Sequence, residues 1–285
     1  MQFILKRKIL FILLFSGIAS LASGQTPEDA LNFANEQYHL KNYSVALKEY
    51  QRYFFFRPEP VAAVFYNIGN CFQNTGQFNS AVEFYDKAFN NFIVDSLRIN
   101  ALFKKIECYI LQHEYGLALT ELFGISDTVS KADIYKREFY TGVCYFGMAD
   151  YENAGQSFVN SIDTTFGDQR SQIRQLFADK KNFERPNPKT ALLLSMLFPG
   201  LGQFYTGDIR NGMNSLLLTS ALAYLGFSVA FEQSPLDAII TVLPWFQRYY
   251  QGGYLKAEQI AITKRAEKKA RIYKRTLAII ASTRN

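Results

Sequence analysis

One pattern recurs four times in the first half of the chain, and it limits the possible folds more than any other feature. Each copy has an aromatic residue three positions before an alanine: Tyr43/Ala46, Phe78/Ala81, Tyr115/Ala118 and Tyr151/Ala154. Four positions after each alanine comes a large apolar residue: Tyr50, Tyr85, Leu122 and Phe158. The alanines are 35, 37 and 36 residues apart. Repeats of this length with apolar spacings of three and four predict two antiparallel helices, A and B, in each copy.

Small residues stand on three of the predicted A helices where A and B would touch: Ala34, Gly69 and Gly142. The third copy departs from the pattern, because Ile106 replaces the small residue there. Over residues 27–162 the pattern resembles the tetratricopeptide repeat (TPR) family. The second copy is the most similar at Gly69, Phe72, Ala81, Tyr85 and Ala88. The resemblance implies a curved helical solenoid whose concave face binds peptides or partner proteins.

Four polar side chains lie on the first two A helices: Asn35, Asn67, Asn70 and Gln73. In the TPR family, A helices tend to line the concave face, and amides of this kind can hold a peptide backbone. These four are therefore candidate partner-binding residues. The alternative is that they are ordinary exposed helix positions.

The sequence offers little for catalysis or metal binding. Its two histidines, His39 and His113, belong to no metal-binding motif, and there is no G-x-S-x-G elbow. Cys71, Cys108 and Cys144 occupy equivalent places on three A helices. Neighbouring stacked helices lie about 10 Å apart, too far for a disulfide, so we expect three small buried hydrophobic residues. We assign no catalytic, cofactor-binding or metal-binding residue and expect no enzyme, although a membrane enzyme with an unrecognised site stays as a third hypothesis.

The first 24 residues resemble a secretory signal peptide. Lys6, Arg7 and Lys8 precede an apolar run at residues 9–18, and the small residues at 22–24 favour cleavage before Gln25. The alternative is an uncleaved anchor. The formal charge of +6 is concentrated at the ends, because residues 256–285 carry +7 and the leader +3, which leaves −4 for residues 25–255. Because residues 25–255 carry net negative charge, they lack the basic surface that nucleic-acid binding requires.

The second half of the chain predicts a membrane region after a polar linker at residues 163–189. Residues 190–206 carry no charge, and residues 212–231 are also uncharged and long enough to span an apolar layer of about 30 Å. A third, shorter run at residues 238–247 predicts either another span or an interfacial helix. We therefore expect a transmembrane helical hairpin with two or three spans.

A glycine-rich stretch, PGLGQFYTG, lies between the first two apolar runs. It does not fit a phosphate-binding loop, because Asp208 stands where the Walker motif needs lysine and Tyr205 where the dinucleotide fingerprint needs glycine. A proline-broken, glycine-packed membrane helix fits better. The motif residues are Pro199, Gly200, Gly202, Gln203, Tyr205 and Gly207. Residues 189–261 resemble a small bacterial helical membrane module with a P-G-x-G-Q-x-Y-x-G core, and this resemblance supplies no catalytic residues.

The C-terminal residues 256–285 predict a basic amphipathic helix, with Ile262, Tyr273 and Leu277 among its apolar positions. Such a helix can lie on anionic lipid head groups, or it can be a solvated charged helix. With three spans this tail is cytoplasmic; with two it shares the side of the repeats.

These features predict an all-α chain with five parts: residues 1–24 signal peptide, 25–162 four TPR-like repeats, 163–189 linker, 190–255 helical membrane module and 256–285 basic tail helix. The predicted function is a bacterial envelope scaffold, anchored in the inner membrane with its repeats on the periplasmic side. Its expected partners are a protein or peptide on the concave face and membrane lipids, with no nucleic acid and no cofactor. The alternative is an accessory factor for membrane-protein insertion or transport, in which the membrane module is the active part.

Overall fold

The computed structural model describes residues 26–59 and 61–283. The predicted signal peptide and its cleavage site lie outside the described residues. Every regular element in the described residues is a helix, which confirms the all-helical prediction. The described chain divides after Ser126 into two compact units.

The first unit contains three pairs of helices. Their bounds are α1 Pro27–His39, α2 Tyr43–Phe56, α3 Ala62–Asn74, α4 Phe78–Asn91, α5 Asp95–Leu111 and α6 Tyr115–Phe123. The Thr26 side chain caps α1 by accepting a hydrogen bond from the backbone N–H of Asp29. The Asp29 carboxylate in turn accepts one from the backbone N–H of Thr26, which completes a capping box.

The two helices of each pair are joined by turns of a common form. A residue with positive φ stands five positions before the repeat's alanine in each of the four copies: Lys41 (φ 60°), Gly76 (φ 77°), His113 (φ 61°) and Ala149 (φ 62°). This left-handed conformation ends helix A and reverses the chain into helix B. The repeats therefore share their turn geometry as well as their apolar spacing.

The small residues on the A helices allow the close approach that the sequence predicts. A Cβ atom on Gly69 would lie 2.7 Å from the ring of Tyr85, and one on Gly142 would lie 2.7 Å from the ring of Phe158. In both pairs, a buried aromatic side chain of helix B occupies the space that the glycine leaves. Cys71, Cys108 and Cys144 are buried and unbridged, so the prediction of small buried residues is confirmed.

The second unit begins with the fourth helix pair, α7 Lys131–Gly147 and α8 Tyr151–Asn160. The predicted linker is largely helical, with α9 Gly167–Ala178 and α10 Lys181–Glu184. Ile173 and Phe183 of these helices are fully buried. Phe177 packs over Gly155 of α8, where a Cβ atom would lie 2.7 Å from its side chain.

The remaining helices are α11 Pro188–Leu197, α12 Leu201–Tyr205, α13 Ile209–Glu232, α14 Pro235–Thr241 and α15 Leu243–Ser282. Among the described residues, α13 is the one helix long and apolar enough to cross a membrane. Its 24 residues extend about 36 Å. The prediction of two or three continuous apolar spanning helices is therefore wrong, since the described residues contain one.

The physical reason is that both other apolar runs are broken. Gly200, with φ +92°, separates the ten-residue α11 from the five-residue α12. Ten helical residues extend only about 15 Å, half the thickness of an apolar bilayer core. The third run is divided at Val242 between the seven-residue α14 and the start of α15.

The predicted tail is the end of a 40-residue helix, α15, which begins at Leu243. Its length is about 60 Å. Ile279 and Ile280 pack in one core with Phe158 and Ile173 of α8 and α9. The ring of Tyr273 lies 4.8 Å from the ring of Phe146 on α7. The last turns of the tail therefore pack against the fourth helix pair.

Candidate functional site

The first candidate site is a chain of amide and tyrosine groups in the first unit, called here the amide ladder. It contains the four predicted partner-binding residues and three tyrosines: Asn35, Asn67, Asn70, Gln73, Tyr38, Tyr50 and Tyr85. The Tyr50 hydroxyl donates to Asn35 Oδ1 at 2.8 Å and accepts from Asn67 Nδ2 at 3.2 Å. Tyr50 therefore joins the A helices of the first and second pairs.

The second step of the amide ladder centres on Asn70. The Asn70 Nδ2 atom donates to the Tyr38 hydroxyl at 3.0 Å, and Oδ1 accepts from the Tyr85 hydroxyl at 2.8 Å. The Tyr85 hydroxyl also lies 2.6 Å from Gln73 Oε1. Gln73 Nε2 reaches Glu107 Oε2 at 3.4 Å, and Glu107 pairs with Lys104 at 2.7 Å. The ladder thus extends over all three A helices of the first unit.

Burial explains why the ladder needs amides. Tyr50 and Tyr85 have no exposed surface, and a buried hydroxyl without a hydrogen-bond partner is unfavourable. Burial raises the pKa of Tyr50 to about 12 and raises the pKa of Tyr85 further. Both hydroxyls therefore stay protonated donors at neutral pH.

The other two repeats give an internal comparison. In repeats one and two, a helix-B tyrosine (Tyr50, Tyr85) faces a helix-A asparagine (Asn35, Asn70) fifteen residues earlier. In repeats three and four, the residues at these positions are Leu122 with Glu107 and Phe158 with Val143. Asparagine is thus present where helix B carries a hydroxyl, a covariation that sequence reasoning overlooked.

These contacts show which of the four predicted partner-binding residues still have an unbonded amide atom, but they do not test partner binding itself. Asn70 is buried, and both ends of its amide are bonded within the unit. Asn35 and Asn67 are half-buried. Among the described residues, no hydrogen bond is found for Asn35 Nδ2 or Asn67 Oδ1, so these two atoms are free for a peptide backbone. The partner-binding prediction therefore rests mainly on Asn35 and Asn67.

The second candidate site is the glycine-rich motif in the second unit. Gly202 lies directly against α11, where a Cβ atom would collide with the carbonyl oxygen of Ala191 and the hydroxyl of Ser195. Gly200 lies against α13, where a Cβ atom would stand 2.5 Å from the carbonyl oxygen of Gly212. These two glycines bring three helices into backbone contact around the turn at Pro199.

Gln203 is the polar centre of this motif. Its side chain is 1% exposed, and its Oε1 atom accepts a hydrogen bond from Ser195 Oγ at 2.8 Å. Its Nε2 atom donates to the carbonyl oxygen of Gly253 on α15 at 2.8 Å. Ser195 Oγ in turn accepts from the backbone N–H of Gly202 at 2.9 Å. The buried amide therefore ties α11, α12 and α15 together.

The other motif residues close the turn into α13. The Tyr205 hydroxyl accepts from the backbone N–H of Asn187 at 3.1 Å. Gly207 has φ +74° at the end of α12, and Lys264 Nζ donates to the adjacent carbonyl oxygen of Thr206 at 2.9 Å. Asp208 caps α13, and hydrogen bonds from Asn211 lower the pKa of its carboxyl group. These contacts hold the turn in place.

Two cavities in the second unit have contrasting linings. One of about 560 Å³ lies between α8, α9 and α10 and is lined by aromatic and charged side chains, among them Tyr151, Phe183, Glu152 and Arg174. The other, of about 380 Å³, lies between α13, α14 and α15. Its lining is apolar, from Leu222 on α13 to Phe246 on α15.

The described residues contain no cluster of histidine, cysteine and acidic side chains that could hold a metal ion. Burial raises the pKa of each of the three cysteine thiols to about 12, which keeps them in the unreactive protonated form. Neither a known protein-family model nor a curated protein matches this chain.

Proposed function

We propose that this chain is a membrane-anchored, TPR-like scaffold that holds a partner protein or peptide at the bacterial envelope. One observation carries the proposal: α13 is apolar and only 6% of its most apolar stretch is buried inside the protein. An apolar helix of this length with so much exposed surface is typical of a membrane segment.

Other apolar side chains near α13 support the same interpretation. Large exposed hydrophobic residues continue onto α11, α14 and the start of α15, including Leu197, Phe198, Ile240 and Trp245. We infer that α11 and α12 form a half-depth hairpin beside α13, with Leu197 and Phe198 at its apolar tip. Non-helical backbone at such a depth needs internal partners. Ser195 and Gln203 supply them close to the turn, and the Tyr250 hydroxyl donates to the Met196 carbonyl oxygen.

The repeats supply the binding half of the proposal. Helix pairs with one shared turn and one shared spacing are suited to presenting A-helix side chains to a partner. In the described part of the chain, Asn35 and Asn67 offer unbonded amide atoms on such helices. The partner is a protein or peptide whose backbone these amides can hold.

The contacts of Gln203 favour an anchor over an active membrane module. Both ends of its amide are hydrogen-bonded within the protein. At the neighbouring Gly200 and Gly202, the backbone of adjacent helices occupies the space that a side chain would take. The polar groups of the motif therefore hold the module together. The signal-like leader places the repeats on the periplasmic side in this proposal, and exposed lysines and arginines of α15 can contact anionic head groups.

The test is partner recovery with the full chain in lipid nanodiscs prepared from the native membrane. Asn67→Arg changes a half-buried helix-A amide, and Asn79→Arg makes the same change on the exposed surface of helix α4. We expect a recovered partner to be at least about tenfold depleted with Asn67→Arg and unchanged with Asn79→Arg, since hot-spot residues typically contribute more than about 1.4 kcal/mol. Equal recovery with both variants, or no partner with the unmodified chain, would contradict the scaffold function.

A further inference from the structure

The return segment, residues 235–253, packs antiparallel to α13, and two contacts fix its register. A Cβ atom on Gly226 would lie 3.6 Å from Val242, and one on Gly253 would lie 2.6 Å from the Oγ atom of Ser215. Each step forward along α13 therefore matches one step back along the return segment. In this register, Arg248 lies level with Ser220.

Ser220 is close to the middle of α13. It lies about 16 Å from the start of the helix at Ile209 and about 18 Å from its end at Glu232. If α13 crosses an apolar core of about 30 Å, Arg248 lies near the centre of that core. An arginine at this depth is too far from either interface to reach water by snorkelling.

Arg248 is exposed on the surface of the protein. None of the described residues forms an ion pair or a hydrogen bond with its guanidinium group. A charged group facing lipid tails is strongly unfavourable, and such residues in membrane proteins normally pair with another group. The guanidinium group of Arg248 therefore needs a partner from outside this chain.

The surroundings of Arg248 fit a helix as that partner. Gln251 and Gly252 lie one turn along the same face of α15, and both are exposed. No atom lies within 4 Å of the position that a Cβ atom on Gly252 would take. A glycine beside polar side chains lets a second helix approach closely and form hydrogen bonds in the bilayer. We call Arg248, Gln251 and Gly252 the arginine face.

We propose that the arginine face binds a transmembrane helix of another protein that carries a carboxyl group near the middle of the bilayer. The inference rests on the proposed membrane anchoring. A second copy of this chain is a poor occupant, because a symmetric pair through this face would bring two Arg248 side chains together. A carboxyl group is complementary in charge and can accept two hydrogen bonds from the guanidinium group.

The test uses the full chain in phosphatidylcholine vesicles with designed transmembrane peptides of about 23 residues. The peptides have one leucine-rich sequence and differ only at the central residue, which is Glu, Gln or Leu. Trp245, the single tryptophan of the chain, is the energy-transfer donor to an acceptor on each peptide. We expect the Glu peptide to associate about tenfold more tightly than the Leu peptide.

Two arginine variants locate the effect. With Arg248→Leu, the preference for the Glu peptide should disappear, and with Arg210→Leu, at the water-exposed start of α13, it should remain. Equal association of the three peptides, or a preference that survives Arg248→Leu, would overturn the proposal. Self-association of the chain that depends on Arg248 would also overturn it, because the occupant would then be a second copy.

Quenching of Trp245 by lipids brominated on their acyl chains is measured on the same vesicles. Absent quenching means that the membrane anchoring has failed, and the arginine face fails with it. Deep quenching without a preference for the Glu peptide means that only the arginine face has failed. The two failures are therefore distinguishable.

Discussion

The Tyr50 hydroxyl donates a hydrogen bond to Asn35 Oδ1 at 2.8 Å and so connects helix B to helix A within the first pair. The same hydroxyl accepts from Asn67 on the next A helix. One buried tyrosine thus links two successive helix pairs. The residues that the sequence offers for partner binding are also residues that hold the first unit together.

Replacing Tyr50 by phenylalanine should lower the free energy of unfolding by about 1 kcal/mol at neutral pH, because Asn35 and Asn67 lose their shared partner. The folded pKa of about 12 lies above the ordinary value of 10.0. The stability that the neutral hydroxyl confers is therefore complete below pH 10 and is lost as the pH rises towards about 12. Urea unfolding followed by circular dichroism should show the unmodified chain approaching the variant over this range.

The control for this substitution is Tyr43→Phe, since no hydrogen bond to the Tyr43 hydroxyl is found among the described residues. It should leave the free energy of unfolding at neutral pH unchanged. A Tyr50→Phe chain as stable as the unmodified protein at neutral pH would contradict the structural role of the amide ladder.

Gly69→Ala tests the close approach of helices A and B. The added Cβ atom would lie 2.7 Å from the ring of Tyr85, and we expect a loss of about 1–3 kcal/mol from overpacking. Gly116→Ala is the matched change, because no atom lies within 4 Å of its Cβ position and the residue is inside helix α6. It should be neutral or stabilise by up to about 1 kcal/mol. Thermal unfolding measures both, and equal effects would speak against the packing described.

Gln203→Met should destabilise the second unit by about 2 kcal/mol or more, because Ser195 and the Gly253 carbonyl oxygen lose buried hydrogen bonds while the volume is nearly kept. Gln259→Met, at an exposed position of α15, should be close to neutral. Thermal unfolding in detergent compares the two. If Gln203→Met kept full stability but abolished a membrane-dependent activity, the motif would be an active site and the anchor interpretation would be wrong.

The end of α15 should be as important for stability as a core helix. Ile280 is 2% exposed, and Ile280→Ala should lower the free energy of unfolding by about 2–5 kcal/mol. Ile262 on the same helix is 42% exposed, and Ile262→Ala should have little effect. Hydrogen exchange should show increased opening of α8 and α9 with the first variant only. Unchanged exchange there would mean that the tail does not stabilise the fourth pair.

Local patterns in the sequence were enough to predict the helix pairs. The spacing of Tyr43 and Ala46 reflects one helical face, and the small residue at Gly69 predicts the close contact that the ring of Tyr85 makes. The shared positive-φ turn was not predicted, because Lys41 and Ala149 are not residues that normally indicate a left-handed conformation.

The sequence-based predictions that were wrong or missing concern backbone geometry and contacts between residues far apart in the chain. Lack of charge in residues 190–206 predicts affinity for lipid, but helix continuity depends on the backbone, and Gly200 breaks it. The bond from Gln203 to Gly253 joins residues 50 positions apart, which no periodicity encodes. For the same reason, the apolar spacing of residues 256–285 predicted only a basic helix on lipid or in solvent, whereas Ile279 and Ile280 pack against α8 and α9.

Trp245 gives the most direct measurement of the membrane anchoring, because it is the single tryptophan in the chain and is exposed. In the register of the return segment it lies level with residue 223, about 4 Å from the middle of α13. Fluorescence of the full chain in vesicles with lipids brominated at defined acyl positions reports its depth. We predict that the deepest bromines quench most strongly and that aqueous iodide quenches weakly. Strong quenching by iodide, with none by the brominated lipids, would contradict the membrane anchor.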